Sequence, residues 1–324
     1  MNILITGGAG FIGSHTAERL INKGHHVTII DDYSTGNEIN IPSIILLNYH
    51  DIFNVKIPVL YKGTREDLMI ENLFETRKFD AVIHLAAQVN VRKSIDDPLS
   101  DSITNISGSI YIFELCKKYG VKKVVFSSSG GTIYGESNIL PTPERYAKNI
   151  PSSPYGIAKL AVENYLNYYI TNGIFNAVIL RYGNVYGPRQ PEKCEAGVIA
   201  IFLRSLFRGE SPIIFGDGNK TRDYVYVDDV VDANELALDL EGDACNTFNI
   251  GTGRETSVNE LFDKINNKFD NKFVAIHEKE RAGELERSCL DISYSKNYLN
   301  WSPKTSLDDG IQKTYEWLKE KEFN

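Results

Sequence analysis

Ser153-Pro154-Tyr155-Gly156-Ile157-Ala158-Lys159 carries the sharpest chemical signal in this 324-residue chain. It reads as a helix start, with Ser153 as N-cap and Pro154 in the first turn. Tyr155 and Lys159 then stand at i and i+4, on one helical face. A phenol is a poor base near neutral pH, and an adjacent ammonium favours the phenolate. Lowering its pKa by ~3 units needs about 4 kcal/mol of differential stabilisation, within reach of a closed site holding a second cation.

Thr6-Gly7-Gly8-Ala9-Gly10-Phe11-Ile12-Gly13 supplies a second constellation. It follows a short apolar run, Ile3 to Ile5, and opens a helical stretch from about Phe11 to Lys23 that Gly24 closes. In that context the glycines read as a dinucleotide fingerprint. Gly7 and Gly10 let backbone approach a pyrophosphate, Gly13 lets helix and strand pack closely, and the helix N-terminus presents N–H groups to phosphate. Asp31 ends a second strand, His26 to Ile30. A carboxylate there can accept the adenosine ribose hydroxyls and would repel a 2′-phosphate, which favours NAD over NADP. A cationic nicotinamide would be the second cation beside Tyr155.

The elements that must position these residues alternate. Strands are expected over Asp80 to Leu85, Lys122 to Ser127 and Ala177 to Arg181. Helices are expected from about Ser100 to Tyr119, closed by Gly120, and from Ser153 to about Thr171. This is the rhythm of an α/β protein, a Rossmann-type doubly wound parallel sheet with helices on both faces. After Tyr182 Gly and Pro become denser and the elements shorten. We therefore expect an NAD-binding domain over 1–181 and a smaller C-terminal α/β substrate domain over 182–324, with room for some later segments to return to the first. Residues 37–60, interrupted by Pro42 and Pro58, read as one strand or two.

Composition excludes several classes. Lys and Arg total 35 against 43 Asp and Glu, a formal net charge of −8. Wrapping nucleic acid or docking on anionic lipid is not expected. Cys116, Cys194, Cys245 and Cys289 have no paired spacing, so we expect neither disulfide framework nor metal site, and thiols packed in a reducing compartment. The absence of a long apolar run and of a signal-peptide pattern points to a cytoplasmic protein without membrane partners.

The chain resembles the extended short-chain dehydrogenase/reductase family, and within it the nucleotide-sugar 4-epimerases acting on UDP-glucose or UDP-N-acetylglucosamine. The resemblance covers almost the whole chain: GGAGFIG (Gly7 to Gly13), DDYSTG (Asp31 to Gly36), HLAAQ (His84 to Gln88), SSSGGTIYG (Ser127 to Gly135), SPYGIAK, LRYGNVYGPRQ (Leu180 to Gln190), FGDGNKTRDYVYVDD (Phe215 to Asp229) and FNIGTG (Phe248 to Gly253). It implies that Tyr155 removes the 4-hydroxyl proton while hydride passes to NAD. The 4-keto sugar turns over and takes the hydride back on its other face. Lys159 would tune Tyr155 and bind the nicotinamide ribose, and a Ser or Thr would relay the proton. Many relatives carry that residue where this chain has Gly130. Ser129 is the candidate, and Ser128 the runner-up.

The resemblance also assigns NAD contacts to Gly7, Gly10, Phe11, Ile12, Gly13, Asp31, Asp32, Ser34, Gly36, Leu85, Ala86, Ala87 and Asn105. It assigns nucleotide-sugar contacts to Ser129, Asn184, Val198, Phe215, Arg222, Arg281 and Glu284; a guanidinium fork suits a diphosphate. Ser288 falls where a tyrosine closes the sugar pocket of some glucose-only relatives, so a 2-acetamido sugar is expected to fit. Thr64 replaces an Asp usual near the adenine. Two alternatives stay open: a nucleotide-sugar dehydratase or decarboxylase, or a non-catalytic NAD-sensing protein. The first generally needs an acid before the tyrosine of the YG pair, where Gly131, Thr132 and Ile133 stand. The second would be expected to lose the Tyr155/Lys159 pair. Relatives commonly form homodimers through helices matching 100–119 and 153–171.

Overall fold

In a computed structural model, residues 1–41, 51–55, 65–146, 148, 150–192, 197–242, 246–281 and 284–323 are described. The expectations on Thr64, Cys194 and Cys245 lie outside them. The chain divides into two compact units. The first gathers Met1–Ser129, Ser153–Arg181 and Val231–Phe248; the second gathers Gly130–Ser152, Tyr182–Val230 and Asn249–Asn324.

The first unit is built on β1 (Asn2–Thr6), β2 (His26–Asp31), β3 (Asp51–Asn54), β4 (Ala81–His84), β5 (Lys123–Ser129), β6 (Asn176–Tyr182) and β7 (Asn246–Ile250). They form one sheet in the order β7-β6-β5-β4-β1-β2-β3. The pairings from β3 across to β5 are parallel, with Thr6 in register with both Ile30 and His84. Such strands are covered on both faces, hence the unbroken runs: Ile3, Leu4 and Ile5 are fully buried. Alternate residues serve alternate faces. Leu4, Ile30, Val82, Val124, Phe126 and Ile179 point into one core with Phe74, Phe113, Tyr169 and Phe175. The strand order reverses at the β1/β4 junction, the crevice where doubly wound sheets bind ligands.

The helices are α1 (Phe11–Asn22), α2 (Arg65–Arg77), α3 (Val91–Asp96), α4 (Pro98–Ser102), α5 (Gly108–Tyr119), α6 (Pro154–Thr171) and α7 (Val227–Asp239). Gly24 (φ +84°) and Gly120 (φ +71°) adopt the left-handed conformation that ends a helix. The expected helix over 100–119 is present, running from Pro98 to Tyr119 with one wider turn inside it. α4 gives way to a π-helical turn, Ile103–Ser107, before α5 begins. Within this wider turn the Asn105 side chain bonds to Gln88, in the segment after β4. Of the expected strand or strands over 37–60, the described residues hold one, β3, preceded by a 3₁₀ turn, Glu38–Asn40; residues 42–50 and 56–60 lie outside the described residues.

The second unit has three small strand pairs: Asn184–Tyr186 with Tyr224–Tyr226, Ile213–Phe215 with Ile276–Glu278, and Thr221–Arg222 with Thr256–Ser257. Helices Val198–Phe207, Val258–Asn266 and Leu307–Glu322 flank them. Buried polar residues fix the crossings. The Asp223 carboxylate accepts from the Thr252 hydroxyl and from the backbone N–H of Thr252, Gly253 and Leu290. The Trp301 indole donates to the Asp229 carbonyl at 2.7 Å.

Candidate active site

α6 starts as its residues require. The Ser153 hydroxyl accepts from the Gly156 N–H, and Pro154 occupies the first turn. This fixes the helical phase that puts Tyr155 and Lys159 on one face. The Lys159 ammonium donates to the Ser127 carbonyl at 2.8 Å and lies 5.8 Å from the Tyr155 ring centroid. The Ser129 hydroxyl faces the Tyr155 phenol closely enough to favour its ionised form. β5 thus delivers Ser127 and Ser129 to the α6 pair. Ser128, pointing the other way along the strand, donates to Glu163 at 2.6 Å.

The electrostatics define what the pair can do by itself. Burial pushes the Tyr155 phenol above its usual range, the Asp101 carboxylate adds to this, and the Ser129 hydroxyl opposes both. Burial also pushes Lys159 down to about 8, against the attraction of Asp101 and Glu163. The chain's own residues therefore hold Tyr155 as a neutral phenol. The ammonium alone does not outweigh desolvation, so phenolate formation needs further positive charge in the site.

The glycine loop lies at the β1/β4 junction. Gly7 is left-handed (φ +72°), and a Cβ there would meet the Ala86 nitrogen at 2.8 Å. A Cβ on Gly13 would drive into the Gly7 carbonyl oxygen. Phe11, Ile12 and Gly13 form the first turn of α1, which holds no acidic side chain. The Asp31 carboxylate, buried at the end of β2, accepts from the Ala9 and Tyr33 N–H groups, both at 2.9 Å. Ser34 N–H donates to Asp32, and Gly36 packs so closely that a Cβ would meet an Asp31 carboxylate oxygen at 2.7 Å. A glycine cradle at a helix N-terminus, followed by an acid closing the next strand, fits the pyrophosphate and ribose of a dinucleotide.

A buried chain of hydrogen bonds shapes the other wall of that crevice. Ser109 donates to the Asn105 carbonyl at 2.6 Å, so it must accept from His84 Nε2. His84 Nδ1 is then the acceptor from Thr6, at 2.7 Å, and the Thr6 oxygen accepts the Ala86 N–H. Burial and the Lys159 charge push His84 down to about 3, which agrees with this neutral tautomer. Leu85, Ala86 and Ala87 leave β4 along this chain. Asn105 Oδ1 accepts the Gln88 N–H at 2.8 Å, and its amide donates to the Gln88 carbonyl and to Asp101. Thr6, His84, Ser109, Gln88 and Asp101 were not assigned from sequence. For Asp101 the available signal was an acid four residues before Asn105 in a stretch read as helical.

The residues assigned to the nucleotide sugar beyond Ser129 all lie in the second unit. The Arg281 guanidinium carbon lies 3.2 Å from the Phe215 ring centroid, a cation–π stack. The Thr221 carbonyl accepts from both Arg222 Nη1 (2.8 Å) and Ser288 N–H (3.2 Å), which brings Arg222 and the buried Ser288 together. Asn184 lies on a strand whose N–H bonds the Asp223 carbonyl, with its side-chain oxygen beside Gly131. Val198 opens its helix, and Glu284 is exposed. A cleft of about 660 Å³ in this unit, lined by residues such as Thr252, Arg254, Lys296 and Trp301, contains none of these positions. Cys116 and Cys289 are buried free thiols. No helix among the described residues is long and apolar enough to cross a membrane.

Comparison with known proteins matches residues 3–251 to the NAD dependent epimerase/dehydratase family. The UDP-glucose 4-epimerase of Mycolicibacterium smegmatis is 40% identical over 321 residues, 99% of each chain. The crystal structure of UDP-glucose 4-epimerase from Thermotoga maritima, with UDP-glucose, is 43% identical with a TM-score of 0.91 and covers 99% of each chain. The UDP-N-acetylglucosamine 4-epimerase of Methanobrevibacter ruminantium M1, in complex with UDP-N-acetylmuramic acid, is 33% identical with a TM-score of 0.89 and covers 98% of each chain.

Proposed function

The chain belongs to the NAD dependent epimerase/dehydratase family, and from that membership we propose that it is a nucleotide-sugar 4-epimerase interconverting UDP-glucose and UDP-galactose. The observation that carries this reading is the set Tyr155, Lys159 and Ser129, joined at the end of β5 and the start of α6. NAD supplies the hydride acceptor that makes a transient 4-keto sugar and returns the hydride to its other face. Gly7, Gly10, Gly13 and the first turn of α1 hold its phosphates, Asp31 its adenosine ribose, and Asn105 with the 85–87 segment the far end.

Tyr155 is the base for the 4-hydroxyl proton, and Ser129 bridges the phenol and the sugar oxygen. Lys159 contributes positive charge to the phenolate. Gly131, Thr132 and Ile133 place no carboxylic acid beside the base, which disfavours elimination at C6 and so a dehydratase. Arg222 and Arg281 take the diphosphate and ribose, with Phe215 beside the base. Ser288 leaves space at C2, so UDP-GlcNAc and UDP-GalNAc enter as well; the similarity to a UDP-N-acetylglucosamine 4-epimerase supports this.

The working protein is a cytoplasmic homodimer. Ile157, Tyr165 and Tyr168 project as exposed apolar side chains from α6, a face suited to a second copy. Light scattering should then give about twice the 36.5 kDa chain mass. Buried free thiols suit a reducing compartment. The test of function is turnover of purified protein on a panel of UDP-sugars without added NAD. C4 epimers should form, and Tyr155→Phe should reduce kcat by at least about 100-fold. Unchanged turnover in that variant would overturn the mechanism.

A further inference from the structure

α6 carries two buried charge sets. Glu163 and Arg181 form one: Arg181 Nε and Nη2 bond the two carboxylate oxygens at 2.9 and 2.5 Å, and Ser128 adds its hydroxyl. That acid is already matched by a guanidinium. Lys159 is the other cation, only 3% exposed, and among the described residues no carboxylate pairs with it at contact distance. Among the described residues its other buried acidic neighbour is Asp101, on α4, which packs against α6.

Asp101 is 2% exposed. Its Oδ1 accepts from the Gln88 and Asn105 side-chain amides, both at 2.9 Å, which fixes the carboxylate in place. Its Oδ2 is buried with no hydrogen-bond partner among the described residues. Leaving a carboxylate oxygen unsatisfied is costly, and the cost is offset if the charge serves the cation nearby. Of the groups facing it, Tyr155 and Lys159 on α6 titrate, while Gln88 and Asn105 are neutral. The charged residues of α3, Arg92, Lys93 and Asp96, point to solvent.

We propose that Asp101 is the buried counter-charge of the Tyr155–Lys159 pair, a positioning residue that acts through those two side chains and not on the sugar. The proposal rests on the epimerase reading for its kinetic test only. Burial raises the Asp101 carboxyl above its ordinary range, while the Gln88 amide, the Lys159 charge and the Asn105 amide pull it back; in its ionised form it holds Lys159 protonated and opposes the phenolate. It therefore sets both limbs of the pH profile: the acid limb, where Tyr155 ionises, and the alkaline limb, where Lys159 loses its proton. Asp101→Asn keeps the shape and the acceptor for Gln88 and Asn105 but removes the charge. Both limbs should slide to lower pH by about one unit, a tenfold change in each ionisation.

The experiment is the pH profile of kcat in the holoenzyme, together with a phenolate absorbance titration corrected by the Tyr155→Phe protein. In Asp101→Asn both limbs and the phenolate transition should move to lower pH; in Asp101→Glu, which restores the charge, they should return toward the wild-type positions. A folded, NAD-loaded Asp101→Asn protein with unmoved limbs and phenolate transition would overturn the proposal, because a merely structural role lowers amplitude alone. Should Asp101→Asn not fold, Asp101→Ser against Asp101→Glu decides on the same terms. If no UDP-sugar is epimerised, the absorbance titration still reads the counter-charge, and only the reaction reading falls.

Discussion

The Ser128 hydroxyl donates a 2.6 Å hydrogen bond to Glu163, deep in the first unit. Glu163 is at the same time clamped by Arg181, so Ser128 belongs to a closed, buried ion pair. Its neighbour Ser129, one residue along β5, instead faces the Tyr155 phenol and favours its ionisation. Successive residues of a strand face opposite sides, and that alternation separates a structural serine from the one proposed to relay the proton.

The two alanine variants should therefore differ in kind. Ser129→Ala should lower kcat by about 10- to 100-fold with little loss of stability, since it removes a proton-relay contact. Ser128→Ala should cost about 1–3 kcal/mol of stability, the value of a buried hydrogen bond to a charged group, with kcat within about threefold of wild type. Steady-state kinetics and urea denaturation on both proteins check this. A catalytic collapse confined to Ser128→Ala would reverse the assignment.

Lys159 makes a stability prediction of opposite sign to its catalytic one. Its folded-state value is about 8, below the ordinary 10.5 of an unfolded lysine. Between those values the unfolded chain binds the extra proton, so stability rises with pH across that window. Below about 8 the burial cost is present in full, about 3 kcal/mol. Lys159→Met should thus be more stable than wild type near neutral pH, by up to about that amount, and lack the rise. Denaturant midpoints of NAD-stripped proteins across this range measure it, while the variant's turnover should be nearly abolished.

Much of this site was legible in the sequence because its signals are local. The Gly7–Gly13 fingerprint needs only its flanking strand and helix, and Ser153-Pro154 announces the helix that pairs Tyr155 with Lys159. Asp101 was half legible: its spacing of four residues before Asn105 is helical, but the Gln88 amide on its Oδ1 and the burial of its Oδ2 come from tertiary packing that the sequence does not show. His84 was read as part of a motif, yet its tautomer follows from Ser109, 25 residues away. The rise of the Tyr155 phenol was equally hidden, since sequence shows the neighbouring ammonium but not the burial that outweighs it.

Asp31 should matter twice over. Its carboxylate holds the glycine loop through the Ala9 N–H and its own turn through the Tyr33 N–H, and it is the residue proposed to hold the adenosine ribose. Asp31→Ala should release a loop as well as lose a ligand contact. The purified variant should carry clearly less than one NAD per chain, and added NAD should restore turnover only at raised concentration. Nucleotide released on acid denaturation, quantified by chromatography, gives the answer. Full NAD occupancy in the variant would remove Asp31 from the cofactor site.

Ser288 is the residue proposed to decide which sugars enter, and its surroundings make a sharp experiment. It is buried, and its backbone N–H is fixed to the Thr221 carbonyl that also accepts from Arg222. A larger side chain there cannot easily swing away, because the backbone is held on both sides of the residue; the Cys289 carbonyl accepts from the Thr142 N–H at 2.8 Å. A phenol ring in place of the hydroxymethyl group would fill the space proposed for a 2-acetamido substituent. Ser288→Tyr should then lower kcat/KM for UDP-GlcNAc by about 100-fold or more, while UDP-glucose, with only a hydroxyl at C2, should lose less than about tenfold. The expected ratio follows from steric exclusion, which costs a few kcal/mol where the pocket cannot relax. Competition between the two sugars in one reaction vessel measures that ratio directly. Equal losses for both would mean a general disturbance of the site, and retained turnover of the acetamido sugar would show that position 288 is not the gate.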